Sequence, residues 1–475
     1  MYALTTILAA QAALICQSNA LQLRQPSTSA PRVIQHDIQR RDIKDPVAQS
    51  LARLRRRAGT VTAELDNEGT LYFMNISIGT PAQDLHMHID TGSSDLWVNV
   101  PNSQLCTSQQ GICSASGTYD SSASSTYKLI NNDFNISYVD GSGSSGNYVT
   151  DVVSFSDISL DNQQFGVGLV SSSMEGVLGI GYVANEVPAS TGNPYPNIPK
   201  NLVNSGYINT NAYSLWLNDL DASMGSILFG GVNTAKYTGE LETLPIIPTQ
   251  GYYAEFIIAM TAVGMNGTKG SIASNIASPA LLDSGSSLMY LPDQIANDIF
   301  SALGTSYDSQ QGAAIVDCDL INSDATIDFT FSSPTISVPM NELVFIAGGT
   351  NRDPICILGI GPAGSSTPVL GDTFLRSAYV VYDLQNNEIS LAQTNFNSTD
   401  NNILEISSGA KSVPSATDVA NPVTSVSVET GGARLGGFNS MIGGTASSAG
   451  FAAPTAFPAS IPALVGAVAA AALAL

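Results

Sequence analysis

The sequence predicts an all-β protein built from two similar lobes. Short β-rich runs alternate with turns of Gly, Ser, Asn and Pro through the middle of the chain, and residues 85–89 (LHMHI) alternate apolar and polar side chains strictly. Helical patterns are few, and the best of them covers residues 293–303. A repeat of long period divides this region into halves, and such repeats indicate repeated structural units.

The repeat is carried by two pairs of motifs. Residues 90–94 (DTGSS) are matched by residues 283–287 (DSGSS), and the Val-Leu-Gly at 177–179 is matched by the same triplet at 369–371. The Asp and the Gly of these motifs are 89 positions apart in the first half and 88 in the second. A lone Asp-Ser/Thr-Gly triplet is common turn chemistry. Two copies with matched partners predict that each lobe supplies one copy of the same loop.

The charge is unevenly distributed along the 475 residues, a length sufficient for two or three domains. The formal net charge is −22, and residues 1–57 hold nine of the 17 Lys and Arg but three of the 39 Asp and Glu, so the remainder carries about −28. Nucleic acid is therefore not an expected partner, because phosphate binding requires clustered Lys and Arg. The acidity fits either simple solubility or a protein built for acidic surroundings.

The amino terminus predicts a secreted precursor. Residues 1–20 read as a signal peptide, since an apolar run at 3–15 is too short to span a bilayer and is followed by small residues where a signal peptidase cuts. Residues 21–57 are polar and basic and end in RLRRR. A basic cluster can be a solvated face or a nucleic-acid patch, but in this position it predicts a pro-segment with a dibasic processing site. Arg40-Arg41 is a second candidate site.

The carboxyl terminus predicts a surface anchor. Residues 398–450 are rich in Ser, Thr, Gly, Ala and Val and are expected to form a flexible stalk that could carry O-linked glycans. Residues 451–475 form a spacer and an apolar tail, preceded by small residues at 443–450. This is the pattern of a GPI-attachment signal whose tail is removed. It predicts attachment to the membrane at the extracellular face of the plasma membrane. The cell wall and the medium are alternative locations, and a tail anchor or a merely apolar terminus are alternative interpretations.

Four cysteines remain once a signal peptide is removed, and four cysteines allow three pairings. We expect Cys106–Cys113 and Cys318–Cys356, because each of these bridges stays within one half of the chain. A zinc site is the alternative, and the scattered spacing and an oxidising compartment argue against it. No metal site is expected.

Four Asn-x-Ser/Thr sequons predict N-linked glycosylation. They begin at Asn75, Asn135, Asn266 and Asn397. Asn75 lies in a strand-like run, and we leave open whether it is modified.

Through the two Asp motifs and their matched partners, the chain resembles a pepsin-type aspartic protease over roughly residues 68–395. Further stretches that carry the resemblance are Trp97 and residues 138–142 (YVDGS), 213–217 (YSLWL), 227–231 (ILFGG), 369–375 (VLGDTFL) and 378–392. Together with the anchor signal, they make the chain similar to the surface-anchored fungal branch often called yapsins.

The resemblance implies a bilobal pepsin-like fold with the active-site cleft between an amino-terminal lobe, residues 58–240, and a carboxyl-terminal lobe, residues 241–397. It further implies an aspartic endopeptidase that acts on proteins and peptides without any cofactor. We expect it to act as a monomer.

The resemblance makes Asp90 and Asp283 the catalytic pair. Two carboxylates brought together share one proton, as is established for aspartic protease dyads, so that one can activate water while the other donates to the scissile carbonyl. Glycines in the two loops supply conformational freedom and let the backbone pass close to its neighbours. The hydroxyl groups hold the two loops together and support the carboxylates by hydrogen bonds. These supporting positions are Thr91, Gly92, Ser93, Ser284, Gly285 and Ser286.

A hairpin flap is expected to close over the substrate with Tyr138 near the site. Trp97 is expected to lie in the core and to support this tyrosine. Val139 replaces the glycine usual after the tyrosine, and Asp140 and Gly141 complete the turn. An acid at position 140 resembles the feature that permits Lys or Arg on the amino-terminal side of the cut in related fungal enzymes. Alternatively, Asp140 satisfies backbone groups of the hairpin. Apolar residues should be accepted in either case.

Other polar residues are given structural interpretations. His86, His88 and Asp90 have a spacing that could hold a metal, but ordinary strand histidines are favoured because Asp90 belongs to the loop that ends the strand. Asp372 and Asp383 are expected to be structural. A catalytically inactive binding protein and a cell-wall protein are the rival functions, and the intact pair of Asp motifs disfavours both.

Overall fold

The structure is a computed structural model that describes residues 31–40, 71–108, 111–139, 141–222, 224–350 and 353–428. The described residues from Arg32 onward belong to a single unit. The predicted signal peptide, the basic cluster at 53–57, Asp140 and the predicted anchor signal lie outside the described residues.

Strands dominate both halves of the described chain, which confirms the predicted all-β class. The strands up to residue 245 are β1 (Ile34–Arg40), β2 (Tyr72–Ile78), β3 (Gln83–Asp90), β4 (Leu96–Asn99), β5 (Lys128–Ser137), β6 (Gly143–Phe155), β7 (Ile158–Ser171), β8 (Val177–Gly179), β9 (Ala212–Trp216), β10 (Met224–Phe229), β11 (Gly231–Asn233) and β12 (Tyr237–Pro245).

The second half is built in the same way, from short strands. These are β13 (Ile257–Met260), β14 (Ala262–Met265), β15 (Thr268–Ala273), β16 (Ser278–Leu282), β17 (Met289–Leu291), β18 (Tyr307–Asp308), β19 (Ala313–Val316), β20 (Thr326–Thr330), β21 (Thr335–Pro339), β22 (Val344–Thr350), β23 (Asp353–Leu358), β24 (Ile360–Pro362), β25 (Val369–Leu370), β26 (Ala378–Asp383), β27 (Glu388–Thr394), β28 (Ile403–Glu405) and β29 (Ala416–Asp418).

The helices are short. They are α1 (Gln104–Ser108), α2 (Ile198–Asn204), α3 (Asp293–Ala302), α4 (Met340–Leu343) and α5 (Asp372–Leu375). Helix α3 confirms the best of the few helical patterns in the sequence. It buries Ile295 and Ile299, four residues apart on one face, and carries Asp293 in its first turn, where a negative charge suits the helix dipole.

One large sheet runs through both halves of the chain. Its strand order is β29-β12-β27-β26-β9-β10-β1-β2-β3-β8-β4-β7-β6-β5. The second half adds a five-stranded sheet, β13-β16-β25-β17-β24, and two four-stranded sheets, β15-β14-β20-β21 and β18-β19-β23-β22. Strands β11 and β28 pair separately.

The sequence repeat is a repeat of topology. Strand β3 pairs in parallel with β8, which pairs antiparallel with β4, and β16 pairs in parallel with β25, which pairs antiparallel with β17. The glycine of each Val-Leu-Gly lies against the Asp loop of its own half. A Cβ on Gly179 would lie 2.6 Å from the Ser94 nitrogen, and one on Gly371 would collide with the Ser286 carbonyl oxygen. Both glycines are therefore required by close packing.

Part of the predicted pro-segment is a strand of the large sheet. Residues 34–40 form β1, which pairs with β10 on one side and with β2 on the other. Ile34 and Ile38 are buried. The described part of this segment is thus integrated into the main sheet.

The structure differs from the predicted flexible stalk over residues 398–428. Strand β28 pairs with β11, and β29 pairs in parallel with β12. Ile406, Val413 and Val419 are buried, and Val423 packs against a cluster that includes Leu281 on strand β16. Widely spaced aliphatic residues in a Ser-rich segment are enough to dock it against a preformed sheet. We call residues 403–428 the C-terminal strap.

The structure contains both expected disulfides. Cys106 and Cys113 are bonded with their Cα atoms 5.4 Å apart, and Cys318 and Cys356 are bonded with theirs 5.3 Å apart. In the part of the chain that the structure describes, no helix combines the length and apolar character needed to cross a membrane.

Candidate active site

The two Asp loops are joined by reciprocal hydrogen bonds between their second residues. The Thr91 hydroxyl donates to the Leu282 carbonyl at 2.9 Å and accepts from the Ser284 N–H at 2.9 Å. The Ser284 hydroxyl donates to the Ile89 carbonyl at 3.0 Å and accepts from the Thr91 N–H at 3.2 Å. Each loop therefore fixes the other, and the approximate symmetry of the sequence repeat becomes a symmetrical pair of loops.

Each carboxylate is held by hydrogen bonds that follow the same symmetry. One oxygen accepts from the backbone N–H two residues later, and the other accepts from the hydroxyl three residues later. These donors are Gly92 (2.8 Å) and Ser93 for Asp90, and Gly285 (2.8 Å) and Ser286 (2.9 Å) for Asp283. The sequence predicted all four of these supporting positions, and the structure places them against the two carboxylates.

Gly285 shows how close the two carboxyl groups are. A Cβ at this position would lie 2.8 Å from Asp90 Cγ and 3.0 Å from the Asp283 Oδ1 atom. Its φ is not in the positive region, so the glycine is needed for space, not for the conformational freedom that the sequence suggested. The carboxyl groups of the two halves therefore lie so close together that no methyl group fits beside them.

The surroundings of the pair favour one shared proton. Asp90 is 4% exposed and Asp283 is 2% exposed. Burial first, and then the neighbouring charge of Asp283, raise the pKa of Asp90 above its usual range. Hydrogen bonds from Ser93 and Gly92 oppose this shift but do not cancel it. One carboxyl can therefore remain protonated beside an ionised partner.

The flap hairpin is formed by β5 and β6. Its turn is closed by the Tyr138 N–H to the Ser142 carbonyl at 2.8 Å and by the Gly141 N–H to the Tyr138 carbonyl at 3.0 Å. Gly141 has a φ of 82°, a conformation that favours glycine. The Trp97 Nε1–H donates to the Tyr138 hydroxyl at 2.8 Å, which places the flap tyrosine against a buried side chain of β4. Val139, the departure from the family pattern, is accommodated half-buried in the turn.

Tyr138 lies close enough to the catalytic pair for the charge of Asp90 to affect its pKa. Burial and then the charge of Asp90 raise its pKa well above the ordinary value. Its hydroxyl therefore stays protonated, and Tyr138 can act as a neutral hydrogen-bond donor over the whole acidic and neutral range.

Sequence analysis missed Asp95, a fully buried acid five residues after Asp90. Its carboxylate accepts hydrogen bonds from the hydroxyls of Tyr148 (2.9 Å) and Tyr195 (3.0 Å) and from the Val187 N–H (2.8 Å). Asp95 thereby ties flap strand β6 and the segment 187–195 to the first Asp loop. The only signal in the sequence is an acid at the junction of the polar loop 90–94 (DTGSS) and the apolar run 96–98 (LWV). An acid buried there requires partners that the sequence does not identify.

The remaining predicted residues have contacts of their own. His86 is 2.7 Å from the Asn75 side-chain oxygen, and the buried His88 is 3.4 Å from the Ser284 carbonyl. Asp372 is buried at the start of α5, and Asp383 accepts from the N–H groups of residues 385 and 386 at 3.0 and 2.9 Å. These positions fit structural interpretations of both acids. Asp140 lies outside the described residues.

Comparison with known proteins agrees with this geometry. Residues 71–394 match the family model described as eukaryotic aspartyl protease. A probable aspartic-type endopeptidase OpsB of Aspergillus oryzae is 54% identical over 444 residues, covering 91% of this chain and 91% of the relative. Aspartic proteinase 3 of Saccharomyces cerevisiae is 34% identical, covering 80% of this chain and 79% of the relative.

A solved structure supports the fold. The crystal structure of an aspartic proteinase from Irpex lacteus matches with a TM-score of 0.59 at 22% identity, covering 78% of this chain and all of the solved chain. At this identity the match speaks for the fold alone, and the family follows from the sequence comparisons. The chain belongs to the eukaryotic aspartyl protease family and is an aspartic-type endopeptidase.

Proposed function

We propose that this protein is a secreted, surface-anchored endopeptidase that cleaves peptide bonds in acid by a water molecule activated between Asp90 and Asp283. The observation that carries the proposal is the meeting of two buried carboxyl groups, one of them with a raised pKa, at loops that are locked together. We further propose that it belongs to the anchored fungal branch often called yapsins. The carboxyl-terminal sequence pattern supports that placement.

The residues present supply each step of such a hydrolysis. The ionised carboxylate takes a proton from water, and the protonated carboxyl donates a hydrogen bond to the scissile carbonyl oxygen as the water oxygen attacks its carbon. The tetrahedral intermediate then collapses when a proton passes to the leaving nitrogen. Hydrogen bonds from the neighbouring N–H groups and hydroxyls fix both carboxylates, so little reorganisation is required.

Activity should be highest in acid and should fall as pH rises through the raised pKa of Asp90, because the pair then loses its shared proton. Stability should change in the same direction. A carboxyl whose pKa is raised on folding stabilises the fold below its unfolded pKa, and that contribution is lost as pH rises through the folded pKa. Asp383 and Glu342, whose pKa values are raised mainly by burial, add to this trend.

Initial rates on an unfolded protein and unfolding temperatures, both measured across pH, test this expectation. Using an unfolded substrate removes the effect of pH on substrate folding. A pepstatin-type transition-state mimic should inhibit at the optimum, and a metal chelator should not. A rate maximum above neutral pH would contradict the shared-proton mechanism.

Two carboxyl-terminal truncations should distinguish the effect of the proposed anchor signal from that of the C-terminal strap. A chain that ends at Val428 should appear in the medium as active enzyme, because it lacks the proposed anchor signal and keeps the strap. A chain that ends at Asn395 should lose about 3 kcal/mol or more of unfolding free energy, because Ile406, Val413 and Val419 no longer bury their side chains.

The measurements are activity in the medium and thermal unfolding of both chains. Retention of the first chain on cells, to the same extent as the full-length protein, would refute the anchor. Equal unfolding temperatures for the two chains would refute the structural role of the strap.

Substrate preference is proposed to include Lys and Arg before the cut, alongside apolar residues. A carboxylate at position 140 of the flap can pair with a substrate cation in a partly desolvated site, and an acidic protein concentrates basic peptides near its surface. Changing Asp140→Ser should therefore lower kcat/KM for a Lys peptide relative to an otherwise identical Leu peptide. The matched control is Asp133→Asn, an exposed acid on flap strand β5. An unchanged Lys-to-Leu ratio in Asp140→Ser would show that this residue does not recognise charge.

A further inference from the structure

The outer face of the flap hairpin has an open groove that the catalytic chemistry does not use. The groove has a volume of about 600 Å³ and is lined by strands β5, β6 and β7. Its floor includes Leu169 and Val170, which are 44% and 54% exposed. A contiguous exposed apolar patch is a candidate contact surface, whereas apolar residues exposed singly are ordinary.

A β-bulge creates this apolar floor. Ser145 pairs with Val170 and Gly146 pairs with Gly168, so Leu169 is the extra residue between them. The bulge lets two consecutive apolar side chains line one groove, whereas a regular strand would send them to opposite faces. Gly146 is required by close backbone packing at this bulge, because a Cβ there would collide with the Val167 carbonyl oxygen and lie 2.9 Å from the Leu169 nitrogen.

Asn135 stands directly across this floor. It pairs with Ser145, which pairs with Val170, so the three residues form a row across β5, β6 and β7. Directly opposed residues of antiparallel strands share a face. The neighbours of Asn135 in the chain, Phe134 and Ile136, are buried in the cluster that contains Trp97, so Asn135 points to the outer side.

We propose that an N-linked glycan on Asn135 occupies this groove, with its first sugars packed over Leu169 and Val170. Asn135 begins a sequon and is exposed. Sugars present apolar C–H faces and hydroxyl edges, and the groove offers an apolar floor with a polar rim of Asn132, Asp133 and Asn147. Because the glycan is covalently attached to Asn135 on the wall of the groove, its packing into the groove costs little translational entropy.

The sequons differ in what surrounds them. The Asn75 side-chain oxygen lies 2.7 Å from His86, and the Asn266 side-chain oxygen accepts from the Thr326 N–H at 3.0 Å. Asn397 is exposed at the end of the second half. None of these three lines the groove, so Asn266 and Asn397 serve as internal controls.

This inference rests on the proposed secretion, because N-linked glycans are added in the secretory pathway. The test uses enzyme collected from the medium, treated with endoglycosidase H without denaturation, and analysed site by site by mass spectrometry. The glycan on Asn135 should be removed about fivefold or more slowly than those on Asn266 or Asn397, since packing hides its first sugars. Replacing Leu169→Ser and Val170→Ser together should remove the difference.

The matched control is Leu129→Ser, which changes an exposed apolar residue of β5 outside the groove and should preserve the slow removal at Asn135. Equal removal rates at all modified sites in the wild type overturn the inference. Secreted enzyme with Asn135 bare and another sequon modified also overturns it, and leaves secretion intact. Protein retained in the cytosol would refute secretion itself, and the inference with it.

Discussion

Replacing Asp90 or Asp283 with asparagine should lower kcat by about four orders of magnitude, a loss typical of removing one member of a catalytic unit. Asparagine can neither take a proton from water nor hold the shared proton, so the pair loses both its base and its acid. The fold should survive, because removal of one of two adjacent buried carboxyls also removes their mutual repulsion.

Single-turnover rates on a peptide, with circular dichroism and thermal unfolding on the same samples, measure this effect. Asp161→Asn, an exposed acid on β7, is the control for loss of a carboxylate and should leave kcat unchanged. Near-normal turnover in either active-site variant would disprove the two-carboxylate mechanism.

Gly285→Ala should lower kcat by about two to three orders of magnitude, since displacement of reacting groups by about 1 Å can cost a factor on the order of 10². The added methyl group would meet Asp90 Oδ1 and Cγ as well as Asp283 Oδ1, and the hydrogen bonds between the loops leave the carboxylates little room to move. The predicted defect is geometric, because both carboxyls remain and can still ionise.

Gly348→Ala is the matched control, because a Cβ at that exposed position has no atom within 4 Å and its φ is not in the positive region. Its kcat and pH profile should equal those of the wild type. If Gly285→Ala shows a normal kcat, the two carboxyl groups have more space between them than the structure indicates.

The paired motifs explain why so much of the site could be predicted from the sequence. Each Asp carries its own supporting donors two and three residues later, and such local hydrogen bonds depend on residues that are adjacent in the chain. Helix α3 was predictable for a similar reason, since helical periodicity is visible in a short window. The disulfides were predictable because four cysteines allow only three pairings and each bridge stays within one half of the chain. The repeat spacing then predicted that the two loops serve one site.

Only the tertiary structure decided which polar or weakly apolar segments are buried. The C-terminal strap looks like a stalk in sequence, yet Ile406 and Val419 are buried because distant strands of the large sheet leave a surface for them. The partners of Asp95 lie about 50 to 100 residues away in sequence, and the apolar groove beside Asn135 depends on a register shift between two strands. The sequence by itself therefore determined the chemistry of the two loops and the class of the fold, whereas burial and register, which depend on long-range pairing, were decided by the tertiary structure.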